Sequence, residues 1–346
     1  MAILFDAPVA PDELTYAIRQ IPVNSNLALV NEFPTTFTQT NKVRWGEITL
    51  NNATAKYRAF DGAIPVADRG TGQDREVQMA PFSNSLNMGE YERLQLEYAR
   101  MGGGNKSVLV DAIYDDAKIL VGTMHNRREL GIGQVLSTGK FTLNENGIIA
   151  EADFGVPAGN KVTAAVAWTN TATAKAADDL RAWAAAYRLN SGGAVPGEIK
   201  TSLRVLNLMK TNAQIVGEAI GTQAGRTRIN DRELADWLSS EGLPQTITTY
   251  ETSLLVDGVT TRPIQDDVLL LLPAEKAGFL EFRFGLSATA LELVNSNEAE
   301  VSFSDGPGIV GVVEKVGPPY RQFTYVDAVG MPLLLDAKRL FIADVA

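Results

Sequence analysis

Residues 105–141 read NKSVLVDAIYDDAKILVGTMHNRRELGIGQVLSTGKF. Leu109, Ile113, Ala117, Leu120 and Met124 recur at the 3.6-residue period of one helical face, and the pattern continues less cleanly through Leu130 and Val135. The spacing predicts a helix over 105–137, roughly 45–50 Å long at 1.5 Å per residue. Gly122, Gly131 and Gly133 each cost about 1 kcal/mol relative to alanine in a helix, so a bent or broken second half is expected. The helix should end at Gly139, where Gly-Lys-Phe leads into a new element. Phe141–Leu143 and Ile148–Phe154 flank Asn146-Gly147, a pair suited to the positive φ angles of a tight hairpin turn.

Upstream, Gly102, Gly103 and Gly104 separate this helix from a shorter one. Asn87 and Glu90 are spaced as a capping box, with Tyr91, Leu94 and Tyr98 on one face. Before it, residues 51–82 run through Gly62, Pro65, Gly70, Gly72 and Pro81, after a strand expected over Val43–Leu50. A loop of that length in a compact domain is usually functional or misassigned, and it reads either as an extended hairpin that packs on a neighbouring subunit or as a mobile surface hairpin. Here Lys56, Arg58, Arg69 and Arg75 balance Asp61, Asp68, Asp74 and Glu76. The first 40 residues carry Pro8, Pro11, Pro22 and Pro34 and read as an extended arm without a core of its own.

Downstream, a second unit begins with a helix over Thr173–Asn190 that places Ala177, Leu180, Trp183, Ala184 and Tyr187 on one face. Pro196 is expected to open another helix carrying Ile199, Leu203, Leu206 and Met209. Asn230 with Glu233 marks a third, ending at Gly242. Strands over Thr246–Val256 and Val259–Leu272 are joined by Asp257-Gly258, and Phe279–Phe284 alternates apolar with charged residues. Gln322–Val326, Leu333–Leu335 and Leu340–Val345 read as closing strands that return to the first unit. The fold class is therefore α+β.

Composition narrows the function. The 346 residues exceed the size at which one core usually stops growing. Zero cysteines exclude disulfides, thiolate catalysis and cysteine-ligated metals. A net charge of −10, from 41 acids and 31 bases, argues against a dedicated DNA-binding protein. The longest clean apolar run, Val268–Leu272, is far short of the roughly 20 residues that span a bilayer, and no basic residue precedes Arg19 as a secretory signal would require.

Catalytic signals are absent as well. The single histidine, His125, lacks the partners of a zinc site and reads as packed or solvated. Asp115-Asp116 and Asp266-Asp267 are sequence neighbours whose side chains diverge on a helix or a strand. No nucleophile elbow or phosphate-binding loop occurs. No cofactor or metal is expected, and an α+β hydrolase using distant carboxylates is the enzymatic alternative.

The stretch from about Glu92 to Leu143, with its long helix ending in Val135, Leu136, Ser137, Thr138, Gly139, Lys140 and Phe141, resembles the lambda-type major head proteins, the major capsid protein E family. Asp178, Asp179, Leu180 and then Tyr187 follow in the order seen in that family. The resemblance implies a Hong Kong 97-like phage capsid fold. It would comprise an N-terminal arm (1–40), a peripheral domain (41–171) with extended loop (51–82) and spine helix (105–137), an axial domain (172–316), and C-terminal strands (317–346) returning to the peripheral domain. It further implies a non-enzymatic subunit of an icosahedral virion shell around double-stranded DNA. Pentamers and hexamers of itself would be its partners, with portal, scaffold and decoration proteins alongside, and no membrane. The eight charged loop residues become candidate inter-subunit contacts, and Lys56 a solvent lysine in place of a cross-linking one. A tail or decoration protein is the alternative within the virion.

Overall fold

A computed structural model describes residues 9–46, 74–101, 107–145, 147–221, 225–296, 302, 305–318 and 321–346. The long helix is Ser107–Thr138, a single uninterrupted element of 32 residues. The helix is not broken at its glycines, and two of them make room for neighbours. A Cβ at Gly133 would lie 2.3 Å from Pro263 Cβ, and one at Gly131 would lie 3.3 Å from the Phe141 ring and 3.4 Å from Pro332. Between Leu120 and Ser137 only Asn126 is exposed, so this half of the helix is enclosed on nearly every side. At Gly139 the chain turns with φ 71° and enters the expected hairpin, Lys140–Glu145 against Ile148–Asp153.

The helix packs on a five-stranded sheet whose centre is the strand Arg321–Leu334. Ala80–Met88 pairs along one edge of it, while Val310–Val316 and Leu280–Gly285 share the other, all antiparallel. Sequence suggested two strands here, Gln322–Val326 and Leu333–Leu335. The chain continues through Pro332 because Phe282, opposite, directs its N–H the other way, to the Pro34 carbonyl at 2.9 Å, which makes this a pair where no N–H of Pro332 is called on by Leu280–Gly285. Ala80–Met88 also absorbs Asn87, which is therefore no cap. The following helix starts at Glu90 and ends at Met101.

The N-terminal segment, expected as an extended arm, is folded into the core from residue 9 onward. Pro11–Gln20 is a helix with proline in its first turn, and Leu14 and Ile18, four apart, are buried. They meet the strand Val310–Val316 at Gly311, where any side chain would collide with Ile18. Thr15 Oγ1 accepts from the Gly311 N–H at 3.2 Å. Ala28–Glu32 is a second short helix, and Thr35–Phe37 joins the sheet parallel to Leu280–Gly285. The prolines read as breakers open the helix and bracket it.

A second five-stranded sheet runs in the order Lys161–Thr163, Phe341–Asp344, Val268–Leu272, Glu198–Thr201, Ile247–Thr249. Its central run Val-Leu-Leu-Leu-Leu is buried on both faces. Val268, Leu270 and Leu272 enter the core around the long helix, and Leu269 and Leu271 enter a second core with Trp168, Trp183, Tyr187 and Trp237. Burying each such leucine is worth roughly 2 kcal/mol, so this one strand ties the two cores together. Ala176–Asn190, Leu203–Thr211, Ala213–Ile220 and Asp231–Ser240 cover its far side. The Asn230–Glu233 capping box forms as expected. Ile199, in contrast, lies in a strand: the helix after Pro196 starts only at Leu203, capped by Ser202 Oγ accepting from Val205 N–H at 3.1 Å. The strands expected over Thr246–Val256 and Val259–Leu272 break into shorter pieces, with the Asp257-Gly258 turn (φ 49° and 80°) joining Leu254–Val256 to Val259–Thr261.

Packing thus divides the chain elsewhere than at 172 and 316. Leu280–Gly285 and Val310–Val316 belong to the sheet under the long helix, whereas Phe341–Asp344, expected to return there, pairs with Val268–Leu272 in the other sheet.

The glycines of the long helix make a direct test. Gly122→Ala, with nothing within 4 Å of the added methyl, should stabilise the unassembled subunit by about 0.5–1 kcal/mol. Gly133→Ala should destabilise it by about 1–3 kcal/mol, since the methyl must displace Pro263. Denaturant unfolding of the two variants reads both signs.

Candidate subunit-contact surfaces

The charged loop residues fall into two groups. Lys56, Arg58, Asp61, Asp68 and Arg69 lie outside the described residues. Asp74, Arg75 and Glu76 stand on the strand Asp74–Gln78, which pairs antiparallel with Lys42–Gly46 as a two-stranded ribbon. Glu76 accepts an ion pair from Lys42 of its own chain at 2.9 Å, across the diagonal of the ladder. Its side chain sets register within the ribbon. Val43 and Met79 are buried and anchor the ribbon to the body, and it brackets residues 47–73.

Beside it in sequence, the helix Glu90–Met101 turns an apolar stripe outward. Tyr91, Leu94, Tyr98 and Met101 are 76%, 45%, 63% and 78% exposed. Their spacing of three, four and three residues keeps them on one side of the helix. The sequence pattern identified that face; only the structure reveals that the chain's own core does not cover it. Contiguous exposed apolar area of this kind marks an interaction surface.

Polar groups buried on the long helix are spent on internal work. Glu129, fully buried, accepts from the N–H groups of Leu29 and Val30 at 3.1 and 2.8 Å and from Tyr250 Oη at 2.9 Å. It thereby satisfies the first turn of the Ala28–Glu32 helix. Burial raises its pKa against the pull of those bonds, and raises that of Tyr250 further. A second buried cluster joins Lys200 to Glu32 at 2.8 Å and to Glu198 at 3.2 Å, with Lys276 contacting the same two acids. Burial alone would raise the Glu198 pKa, but hydrogen bonds from Lys276 and Thr248 and the charges of Lys200 and Lys276 bring it to about 2.

His125 is packed, as one of its two sequence readings had it, with Nδ1 3.1 Å from Arg128 Nη1. Burial, then the neighbouring Arg128 charge, lowers its pKa to about 4. Of the paired acids, Asp266 bonds Arg262 at 2.6 Å and Asp267 bonds Arg204, so their side chains diverge. Among the described residues no group of three or more histidine, cysteine or acidic side chains could hold a metal.

A body built to hold its shape, with an exposed ribbon and an uncovered helical face, suits association. The sequence matches the phage major capsid protein E family over residues 11–292, most of the chain. The chain belongs to that family. Solved structures agree in fold. A capsid protein assigned to a prophage of E. coli CFT073 aligns over 98% of this chain and 99% of its own with a TM-score of 0.62 at 11% identity. A phage-related protein from Bordetella bronchiseptica RB50 aligns over 99% and 98% with a TM-score of 0.59 at 15% identity. No curated protein matches. This capsid protein therefore has the Hong Kong 97-like fold its sequence suggested, and its role is structural, as a shell subunit of a phage virion. The family match favours the shell over a tail or decoration role.

Acidification tests the buried network of the capsid protein. His125 ordinarily titrates near 6.5 but stays neutral in the fold down to about 4. The unfolded chain therefore binds more protons between those values, and stability falls as pH falls through that window. Glu198, depressed to about 2, adds a loss at lower pH, below the ordinary carboxylate range. Melting of the unassembled subunit should drop between pH 6.5 and 5 by up to about 2 kcal/mol more in the natural protein than in His125→Gln, whose amide oxygen still accepts from Arg128. Parallel pH profiles would contradict this.

Proposed function

We propose that copies of this capsid protein associate into pentamers and hexamers that close an icosahedral shell around double-stranded DNA. Assembly takes place in the host cytoplasm, alongside scaffold, portal and decoration proteins. The carrying observation is the uncovered face of Glu90–Met101, which another subunit must bury for it to be dry. Residues 51–78, short of the buried Met79 and the strand Ala80–Met88, act as the extended loop, with Lys56, Arg58, Asp61, Asp68, Arg69, Asp74 and Arg75 meeting oppositely charged residues of the next subunit. Such rim pairs set register more than affinity. Each contact is individually weak, and the closed shell is stable because every subunit makes many of them.

The DNA is enclosed without being gripped. A chain with 41 acids and 31 bases gives the packaged polymer little to bind in a sequence-specific way. The portion with the long helix corresponds to the peripheral domain. The helices around Trp168 and Trp237 correspond to the axial domain, whose loops surround the five-fold and six-fold centres.

Expressed alone or with its scaffold, the natural chain should form rings or closed shells by electron microscopy as concentration rises. Tyr91→Lys with Tyr98→Lys changes only exposed side chains, so the free subunit should melt within about 0.5 kcal/mol of the natural one. Assembly should need about tenfold more protein, the effect of losing roughly 1.4 kcal/mol per contact. A chain that stays monomeric under all these conditions would remove the proposal, and full assembly of the double variant would remove the role of this face.

A further inference from the structure

Among the described residues, no acid forms an ion pair with the Arg128 guanidinium of the long helix. Arg128 is 4% exposed, with its guanidinium 5.1 and 5.2 Å from the ring centres of Phe282 and Phe284. One nitrogen donates to Thr35 Oγ1 at 2.5 Å, another faces His125 Nδ1, and Nε has no partner. The adjacent Glu129 directs its oxygens to Leu29, Val30 and Tyr250 instead. Burial lowers the Arg128 pKa to about 10 while the charge of the adjacent Glu129 holds it up, so it stays charged at neutral pH. A buried cation with no acid bonded to it is costly, and proteins normally place an anion in direct contact with it.

Space for that anion exists. Arg128 and His125 line an open cleft of about 430 Å³ walled by Ile21, Val23, Phe37 and Ile309. Accepting from Arg128 at Nδ1 puts the His125 proton on Nε2, a further donor for the same cleft. Arg19 lines it too, and its donors go to the backbone carbonyls of Asp305, Gly306, Pro307 and Ile309. Asp305, an acid on the cleft wall, accepts from Ser302 and forms no ion pair with either arginine.

We propose that this cleft receives an aspartate or glutamate side chain from a second copy of this chain. The carboxylate is held by Arg128 and His125, with Arg19 as the outer cation. The inference rests on the shell reading above, which brings acidic copies of one chain side by side. Charge complementarity selects this occupant, because the chain carries ten more acids than bases. The apolar walls suit the methylene stem of a carboxylate side chain. A nucleic-acid backbone would instead need a continuous basic stripe along its row of phosphates.

Cryo-electron microscopy of shells or rings of the natural chain should resolve an acidic side chain of a neighbouring copy within ion-pair distance of Arg128. Arg19→Gln loses its bonds to the carbonyls of Asp305, Gly306, Pro307 and Ile309 and should lower the melting of the free subunit, and at a temperature where that subunit is fully folded it should raise the assembly concentration about three- to tenfold. Intact shells whose clefts are empty, or hold nucleic acid or residues of the same chain, overturn this inference and leave the shell reading standing. So does assembly of Arg19→Gln at the natural concentration. A natural chain that never associates overturns both.

Discussion

Enclosure of the second half of the Ser107–Thr138 helix is the constraint from which the rest of the subunit follows. A helix with almost no solvent side must meet neighbours in every direction, and it must pair its polar side chains internally. Gly131 and Gly133 stand where Pro332, Phe141 and Pro263 come closest. Glu129 finds three donors from two distant parts of the chain, and Arg128 finds aromatic faces and a hydroxyl. Leaving such a carboxylate without its donors would cost more than the bonds themselves are worth. The short Ala28–Glu32 helix and the Tyr250 segment are therefore placed by the long helix.

From this frame the two cores extend through one strand. The alternation of Val268, Leu270 and Leu272 against Leu269 and Leu271 makes a single five-residue run a wall shared by both. Relative movement of the two halves would have to disturb that wall. Rigidity of this kind suits a subunit whose function is to present fixed surfaces. The Glu90–Met101 helix turns Tyr91, Leu94, Tyr98 and Met101 away from its own chain, while the Lys42–Gly46 and Asp74–Gln78 ribbon, anchored by Val43, exposes the charged pair Lys42 and Glu76.

Local signals in the sequence were legible because their physics is local. The long helix followed from its periodicity, the Asn230 helix from its capping box, and both hairpins from Asn-Gly and Asp-Gly. Non-local pairing was not. Glycines that cost helix propensity suggested a bend, but the close approach they permit depends on Pro263, some 130 residues away. The strand Arg321–Leu334 read as two pieces, because its continuity depends on partners far off in sequence, Ala80–Met88 and Leu280–Gly285. Glu198 and Lys200 hid a buried strand, because their charges are cancelled by Glu32 and Lys276 from other elements. At the contact surfaces the sequence identified an apolar face and a charged loop. It could not tell that Glu76 is already engaged by Lys42, nor that His125 and Arg128 share a cleft.

Hydrogen exchange, compared between free subunits and assembled shells, tests most directly whether a preformed frame presents the ribbon and the exposed helix to its neighbours. The account predicts that residues 120–136 and 268–272 are already strongly protected in the free subunit. Protection gained on assembly should concentrate in 42–46, 74–78 and 90–101. Large gains in the enclosed helix and the shared strand, with none in the ribbon and the exposed helix, would contradict it.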